Sequence, residues 1–471
     1  MIVRWWCLLL ALVLLVPPVL AEEPAAQSKP AKSSSATEPK KVEDEYELQR
    51  MLVDTLDQVE RNYVKGISRR ELIEAAIEGV LRKLDPYSSY IAPEELDRFR
   101  GNIESEFGGI GIQITMNRAQ QLTVLSPLVD SPAYRAGILS GDQIIEIDGK
   151  STEDIDLDTA TKWLKGKTGS KVELTVIHPG RSKPEKIDIT RDRIHVATIL
   201  GDRRKENDAW DFMYDEDKGI GYIRVTVFSR STPDELRKAI KSLKKRNFSG
   251  LILDLRFNSG GLLSSAIEVS DMFLEKGRIV STKGRNVPER VWDAHENNTF
   301  SGFRMVVLVN RFSASASEIV SACLQDHGRA VVMGERTWGK GSVQNVIPLE
   351  HGHSALKLTT ASYHRPSGKN IHRFPDASDD DDWGVKPDEG FAVKLSPADM
   401  VALLVRRRHR DVIQPHPKVE SETDKSSDKK TDDEKEPKPE KTAKKRSPTH
   451  KADQVLRMAI EYLSSEMVKA N

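Results

Sequence analysis

Apolar positions change their period along the chain, and each change marks a unit. Leu48, Met51, Leu52, Leu56 and Val59 fall mostly three and four apart, as do Leu72, Ile73, Ala76, Ile77, Val80 and Leu81. That spacing predicts two amphipathic helices, and Pro93 marks the first turn of a third over 92–99. The result is a small helical module over residues 45–104. From Phe107 the period falls to two. Gly108-Gly109-Ile110-Gly111 reads as a glycine turn running into alternating apolar residues over Ile110–Ile114, and Leu122–Leu125 is a second strand. Ser131-Pro132-Ala133 opens a short helix ended by Gly137. Asp142 to Ile147 is a strand closed by Asp148-Gly149, Asp158–Leu164 is a helix, and Val172–Ile177 and Lys186–Thr190 are further strands. From Gly219 strands and helices alternate. Ile220–Val227 is a strand, and Leu251–Leu255, Met305–Val309 and Ala330–Met333 are near-continuous apolar runs. Such runs belong to strands buried on both faces of a parallel sheet. One covering helix opens at Thr232-Pro233-Asp234-Glu235, and another runs from about Ala316 with Ile319, Val320, Cys323 and Leu324 inward. An α/β core over 200–410 follows.

The two ends read differently. Arg4, an apolar run from Trp5 to Val16, and Val19-Leu20-Ala21 before Glu22-Glu23 make a secretory signal peptide over 1–21. The run is shorter than the roughly 20 residues that span a bilayer; the alternative is an uncleaved anchor. The expected location is exported, periplasmic or extracellular, with membrane association if the segment stays. Residues 22–44 are mostly Ala, Ser, Pro, Lys and Glu, a flexible leader. Residues 415–450 mix both charges and hold almost nothing apolar, which predicts a disordered charged linker. Helical spacing returns from Ala452 to Val468 and predicts a C-terminal helix over 451–471 that docks on the core or a partner.

Charge and cysteine usage narrow the function. The 471 residues carry 72 Lys+Arg and 72 Asp+Glu, so no bulk positive charge drives nucleic-acid binding, and aromatics, at 6%, are too sparse for a base-stacking surface. Cys7 and Cys323 are the only cysteines, which excludes a disulfide framework and a cysteine-based zinc site. Gly334 with Gly339-Lys340 approaches a phosphate-binding loop, but Gly341 stands where that loop needs Ser or Thr. No cofactor and no metal are expected.

The succession after Phe107 resembles a PDZ domain of the bacterial protease type over residues 105–193. Gly108-Gly109-Ile110-Gly111, Ser131-Pro132-Ala133, Ala136-Gly137 and Gly141-Asp142-Gln143-Ile144 carry the resemblance. It implies a nest of backbone N–H groups at Gly108, Gly109, Ile110 and Gly111 for a terminal carboxylate. Strand Ile110–Ile114 then offers its edge to an extended peptide.

Candidate chemistry gathers where strand 305–309 gives way to a helix, in Asn310-Arg311-Phe312-Ser313-Ala314-Ser315-Ala316-Ser317-Glu318. Sharp strand-to-helix turns expose nucleophiles, and a helix N-terminus favours developing negative charge. By itself, Ser315 with Glu318 three residues on also reads as a capping box, and three serines leave the nucleophile open. Lys340, between Gly339 and Gly341, is a candidate base. A lysine serves only if neutral near pH 7, which requires its pKa to fall by about three units, roughly 4 kcal/mol. His327 beside Asp326 is the rival base, although its place before Gly328 also suits a helix C-cap.

Taken in order, the PDZ-like stretch, Leu253-Asp254-Leu255-Arg256 with Asn258 and Gly260-Gly261, the serine-rich turn, and Gly339-Lys340-Gly341-Ser342-Val343-Gln344 resemble the carboxyl-terminal processing peptidases, or tail-specific proteases. The resemblance covers about residues 45–410, and Tyr363–Gly368 and Val385–Asp388 resemble the family's closing segment. It implies a multidomain α+β chain: helical module, PDZ domain and an α/β protease core of the crotonase/Clp-like kind. It implies Ser315 as nucleophile, Lys340 as general base and Gln344 as the residue that orients the lysine. The oxyanion donors fall on the N–H of Ala316 and of Gly260 or Gly261. The implied activity is serine-type endopeptidase action near protein C-termini. Partners are then protein or peptide substrates with free C-termini, with an adaptor or a homo-oligomer beside them and no nucleic acid. Glu318 reads as a cap or local support. The acidic insert over 376–383 departs from the family and reads as a solvated loop rather than a weak cation site. The other reading is a catalytically silent PDZ scaffold on a protease-like core, and Lys340, Gln344 and the paired glycines count against it.

Overall fold

The computed structural model describes residues 45–96, 99, 106–297, 299–413 and 453–470. The signal peptide, leader and charged linker read from the sequence lie outside those residues, as does the stretch 100–105 of the helical module. The chain forms two compact units that divide after Ile73. In the first, α1 (Glu45–Asn62) buries none of its residues, and Arg69 reaches Asp57 at 2.5 Å and Glu60 at 3.1 Å.

Helix α2 (Arg69–Leu84) runs into the second unit. After it comes a strand that the helical period does not announce, β1 (Ser89–Ile91). The turn between them is built on Asp85, whose carboxylate accepts from Tyr87 N at 2.7 Å and from Ser88 N and Oγ at 2.8 and 2.9 Å. An Asp side chain that bonds the backbone two residues on is a standard way to close a turn.

The PDZ-like part departs from its sequence reading at one point. Gly108 and Gly109 are not in a turn. They lie in β2 (Glu106–Gly109), paired antiparallel with β8 (Asp192–His195). The turn is confined to Ile110 and Gly111, and the strand expected from Ile110 starts at Ile112 as β3 (Ile112–Met116). Gly111 has φ +78°, and an added Cβ would strike Ser131, so glycine is required there. Strand β4 (Leu122–Pro127), helix α3 (Pro132–Arg135), β5 (Gln143–Ile147), helix α4 (Leu157–Leu164), β6 (Lys171–Ile177) and β7 (Glu185–Thr190) follow. The sheet order is β3-β4-β5-β6-β7, antiparallel throughout. Leu122 and Val124, Ile144 and Ile147, and Val172, Leu174 and Val176 point into one core, while alternate residues face out.

In the α/β part, β9 (Ile220–Val225), β10 (Gly250–Asp254), β13 (Arg304–Val309) and β14 (Val331–Gly334) lie parallel in chain order. Between them run α5 (Thr232–Lys244), α6 (Leu263–Asp271) and α7 (Ala316–Asp326), with β11 (Gly277–Lys283) and β12 (Arg290–Ala294). Leu251 and Leu253 pack with α5, α6 and α7. Ile252 faces the other way, toward α8 (Pro397–Asp411) and α9 (Gln454–Ala470). A strand covered on both faces reads as an unbroken apolar run, which is why Leu251–Leu255 was legible. A second, antiparallel sheet holds β15 (Ser342–Leu349) and β16 (Ser354–His364) beside β11 and β12, and β1 joins it on β16, Tyr90 opposite Leu356.

A buried charge network ties α8 and α9 to the end of β10. Asp254 accepts from Tyr222 Oη at 2.7 Å, Arg256 Nη2 at 2.7 Å and Arg407 Nη2 at 2.5 Å. Arg256 also reaches Asp453 at 2.8 and 2.9 Å, and Asp453 caps α9 by accepting from Leu456 N at 3.1 Å. Burial alone would raise the Asp254 carboxyl, but the guanidiniums of Arg256 and Arg407 reverse that and hold it well below the usual range. Asp453→Ala leaves Arg256 half-paired in a dry site and removes the cap. The expected loss in urea unfolding of the core is about 3–5 kcal/mol. A loss below about 1 kcal/mol, the worth of an exposed pair, contradicts the network.

Candidate active site

The turn from β13 to α7 separates the three serines that sequence left together. Ser313 Oγ accepts from Asn310 N at 3.0 Å and donates to the Leu255 carbonyl at 2.9 Å. Ser317 Oγ donates to the Asn258 carbonyl at 2.9 Å. Both are fully buried and serve the turn. Ser315 alone takes a left-handed backbone, φ 54° and ψ −115°, at the head of α7. A non-glycine residue in such a region costs about 1–3 kcal/mol and is held there by its surroundings.

Those surroundings include the loop after β10. Asn258 is buried, donates from Nδ2 to the Val225 carbonyl at 3.0 Å, and accepts from Ala314 N at 3.1 Å on its own carbonyl. Gly260, at φ +104°, lies so close that a Cβ there would be 2.8 Å from Ser315 Cβ and 3.0 Å from Ala316 N. The Ala316 N–H, at the first position of α7, has no acceptor within the helix. The two glycines differ: Gly260 N donates to Asn258 Oδ1 at 2.8 Å, whereas among the described residues Gly261 N–H has no acceptor. In this structure, therefore, Ala316 and Gly261 present open donors and Gly260 does not. Gly260 supplies closeness instead. Asn258 had a place in the sequence motif but no role; its buried amide is what organises this loop.

Lys340 stands in the return from β14 to β15, and Glu318 joins it to the serine. The Glu318 carboxylate accepts from Ser315 N at 2.7 Å and Lys340 N at 2.8 Å, both on Oε2. It accepts from Gly339 N at 2.6 Å and Thr337 Oγ1 at 2.5 Å, both on Oε1. Glu318 is thus both the cap of α7 and a local support for the Thr337–Lys340 return. Complete burial pushes its carboxyl up to about 7, against four donors that favour the charged form. Gly341 is pressed against the His372 backbone, where a Cβ has no room.

Burial, then the like charge of Lys357, pushes the half-buried Lys340 amine below its ordinary value, and Glu318 partly opposes this. Among the described residues Lys340 Nζ makes no hydrogen bond and no ion pair; it lies 5.1 Å from the centroid of the Tyr87 ring. Gln344 is not turned to the lysine. Its Nε2 donates to Ser342 Oγ at 2.9 Å and Thr359 Oγ1 at 3.1 Å. The structure therefore brings Ser315 and Lys340 onto one carboxylate through their main chains, with no direct bond between the side chains. The rival base is elsewhere: His327 Nε2 bonds the Arg278 carbonyl at 2.7 Å, and Asp326 is taken by Arg365 at 2.6 Å.

The peptide groove expected of the PDZ-like part is a small cavity lined by Gly109, Ile110, Gly111, Ile112, Ile114, Thr161, Leu164 and Lys165. Gly108 is not part of it; its carbonyl accepts from Gly166 N at 3.2 Å. Lys165, at the end of α4, also lines this cavity, and no pattern in the sequence points to it. The acidic insert is a pinned loop. Arg336 donates to the carbonyls of Asp379, Asp381 and Trp383 and stacks 3.4 Å from the Trp383 ring centroid.

Three family models match stretches of this chain. The family described as Peptidase family S41 matches residues 219–390, PDZ domain matches 123–177, and Activating protease CtpB N-terminal domain matches 19–95. The Carboxy-terminal-processing protease of Bartonella bacilliformis is 42% identical over 324 residues, 68% of this chain and 71% of that protein. The Carboxyl-terminal-processing protease of Synechocystis sp. is 34% identical over 351 residues, 72% of this chain and 77% of that protein. Among solved structures, the photosystem II D1 C-terminal processing protease aligns with 74% of this chain and 93% of its own at 28% identity and TM-score 0.41.

The raised Glu318 carboxyl makes stability depend on pH in a definite direction. Between the ordinary 4.5 and about 7 the folded chain holds this proton more tightly than the unfolded chain. This group's contribution therefore falls as pH rises through that window, by about 3 kcal/mol in all. Glu318→Gln removes the fall. Urea unfolding of both proteins should show the variant gaining on the wild type by about that amount across the window. A difference that stays constant with pH contradicts the burial of a titrating carboxyl here.

Proposed function

This chain belongs to the carboxyl-terminal processing protease family of serine-type endopeptidases, and we propose that it cuts proteins near their free C-termini with Ser315 as nucleophile and Lys340 as general base. The observation that carries the assignment is the Glu318 carboxylate, which holds the backbone of both residues on a single oxygen. A scaffold would have no need of a carboxylate buried to that end. In the reaction, Ser315 Oγ bonds to the scissile carbonyl carbon as Lys340 Nζ takes its proton. The developing oxyanion lies against the N–H groups of Ala316 and Gly261, at the head of a helix. The C–N bond then breaks, the lysine returns the proton to the leaving amine, and a water repeats the sequence on the acyl-enzyme. Gln344 steadies the neutral amine once its amide leaves Ser342 and Thr359. An amide suits this task because it adds no negative charge that would raise the lysine.

Substrate capture falls to the groove between β3 and α4. An extended C-terminus pairs with β3, its carboxylate meets the backbone N–H groups of Gly109, Ile110 and Gly111, and Lys165 adds charge. The domain layout that goes with this is PDZ over 105–193 and a crotonase/Clp-like core over 200–410. Export follows from the signal peptide read at 1–21, and an adaptor or a second copy is a further partner.

Incubating the full-length protein with an unfolded protein that ends in apolar residues tests both halves. Ser315→Ala and Lys340→Ala should each lower kcat/KM at least about 10³-fold while the thermal transition stays in place. Lys340→Arg should fail as well, because a guanidinium stays protonated. Amidating the substrate's C-terminus should raise KM far more than it lowers kcat. Wild-type turnover by Ser315→Ala would sink the assignment, and indifference to amidation would remove carboxylate capture from it.

A further inference from the structure

Two neighbouring residues, Tyr87 and Ser88, reach the two groups that the chemistry needs to move. Tyr87 presents its ring to Lys340 Nζ at 5.1 Å from the centroid, and Trp338 Nε1 donates to its hydroxyl at 3.3 Å. Ser88 Oγ accepts from Thr359 N at 3.1 Å and lies 3.4 Å from Thr359 Oγ1. Thr359 Oγ1 is one of the two acceptors of Gln344 Nε2, at 3.1 Å, beside Ser342 Oγ at 2.9 Å. Both residues are fixed from behind. Asp85 accepts from their backbone N–H groups, and β1 pairs with β16 immediately after them.

We propose that the turn 85–88 is a latch on the general base: Tyr87 holds the Lys340 ammonium over its ring while Ser88, through Thr359, holds Gln344 away from it. The latch rests on the reading of Lys340 as the base. The face of an aromatic ring attracts a cation and gains nothing from a neutral amine. A lysine seated there is biased toward its charged form, which cannot take a proton from Ser315. The other groups that face the amine are Glu318 at the head of α7, which favours the charge, and Lys357 on β16, which opposes it. His372, beside Gly341, lies within the field of Asp85. Tyr87 is thus a positioning residue, and lifting the turn frees the base and its amide partner together. The segment that does this belongs to the helical module, outside both the PDZ-like sheet and the parallel sheet.

The test is the pH profile of kcat/KM for a short peptide, measured on the full chain. Tyr87→Leu keeps an apolar cover and loses the ring face; Tyr87→Phe keeps the face. With Leu the acid limb should move to lower pH and cleavage on that limb should rise about threefold to tenfold, the range an aromatic–cation contact allows. With Phe the limb should stay where it is. A residue that only supports the fold would change the rate at all pH values alike and leave the limb in place. Ser88→Ala reports on the other arm without touching the ring, and keeps the question open to test if Tyr87→Leu does not fold. Releasing Gln344 should raise cleavage at neutral pH, and a fall at unchanged KM counts against the latch. An unmoved limb in Tyr87→Leu, or an equal shift in Tyr87→Phe, in an enzyme that Lys340→Ala silences, overturns the latch alone. Activity kept by Lys340→Ala overturns the base and the latch with it.

Discussion

Four donors converge on the buried Glu318 carboxylate, and two of them are the backbone N–H groups of Ser315 and Lys340. That carboxylate explains why Ser315 keeps a left-handed backbone at the head of α7, and why the Gly339–Gly341 return can pass so close to the helix. It also sets the electrostatic problem of the site. A negative group near Lys340 favours the ammonium, while burial and Lys357 favour the amine, and burial is the largest of the three. The balance leaves the lysine below its ordinary value. It also leaves the lysine open to small influences such as the face of a tyrosine ring.

A second buried cluster stands behind the loop of Asn258, Gly260 and Gly261. Asp254, Arg256, Arg407 and Asp453 come from β10, the residues just after it, α8 and the start of α9. Arg407 Nη1 donates to the carbonyl of Arg256 at 3.0 Å, so the network grips the backbone immediately before the loop that meets Ser315. The last helix of the chain, its apolar side against β9, β10, β13 and β14, thereby contributes to a site far from it in sequence.

The parts of the fold legible in sequence are those where one face or both are dry. Leu251–Leu255 and Met305–Val309 read as buried parallel strands because helices cover both sides, and the helix from Ala316 showed its inward residues. The hairpin β15–β16 escaped notice because it is half-buried and neither alternates nor runs apolar. Strand β1 escaped because three residues after a helix carry no period. Gly108-Gly109 read as a turn because paired glycines usually are; their ladder partner is Asp192–His195, which only the fold brings near. Family resemblance put Ser315 and Lys340 forward together. Neither it nor the spacing could tell which serines were engaged, since the acceptors of Ser313 and Ser317 are carbonyls of Leu255 and Asn258 on another segment. The direction of the Gln344 amide and the approach of Tyr87 are side-chain choices that no linear pattern encodes.

The claim on which everything else rests is that Lys340 activates Ser315 and no other serine of the turn. It is tested most directly by the rate at which a serine-reactive phosphonate labels the folded protein, with the labelled residue identified by peptide mass spectrometry. The expected result is a label on Ser315 alone, formed faster as pH rises through a midpoint well below the ordinary lysine value of about 10.4, and absent in Lys340→Ala. A label on Ser313 or Ser317, or labelling of Ser315 at the wild-type rate without Lys340, would contradict it.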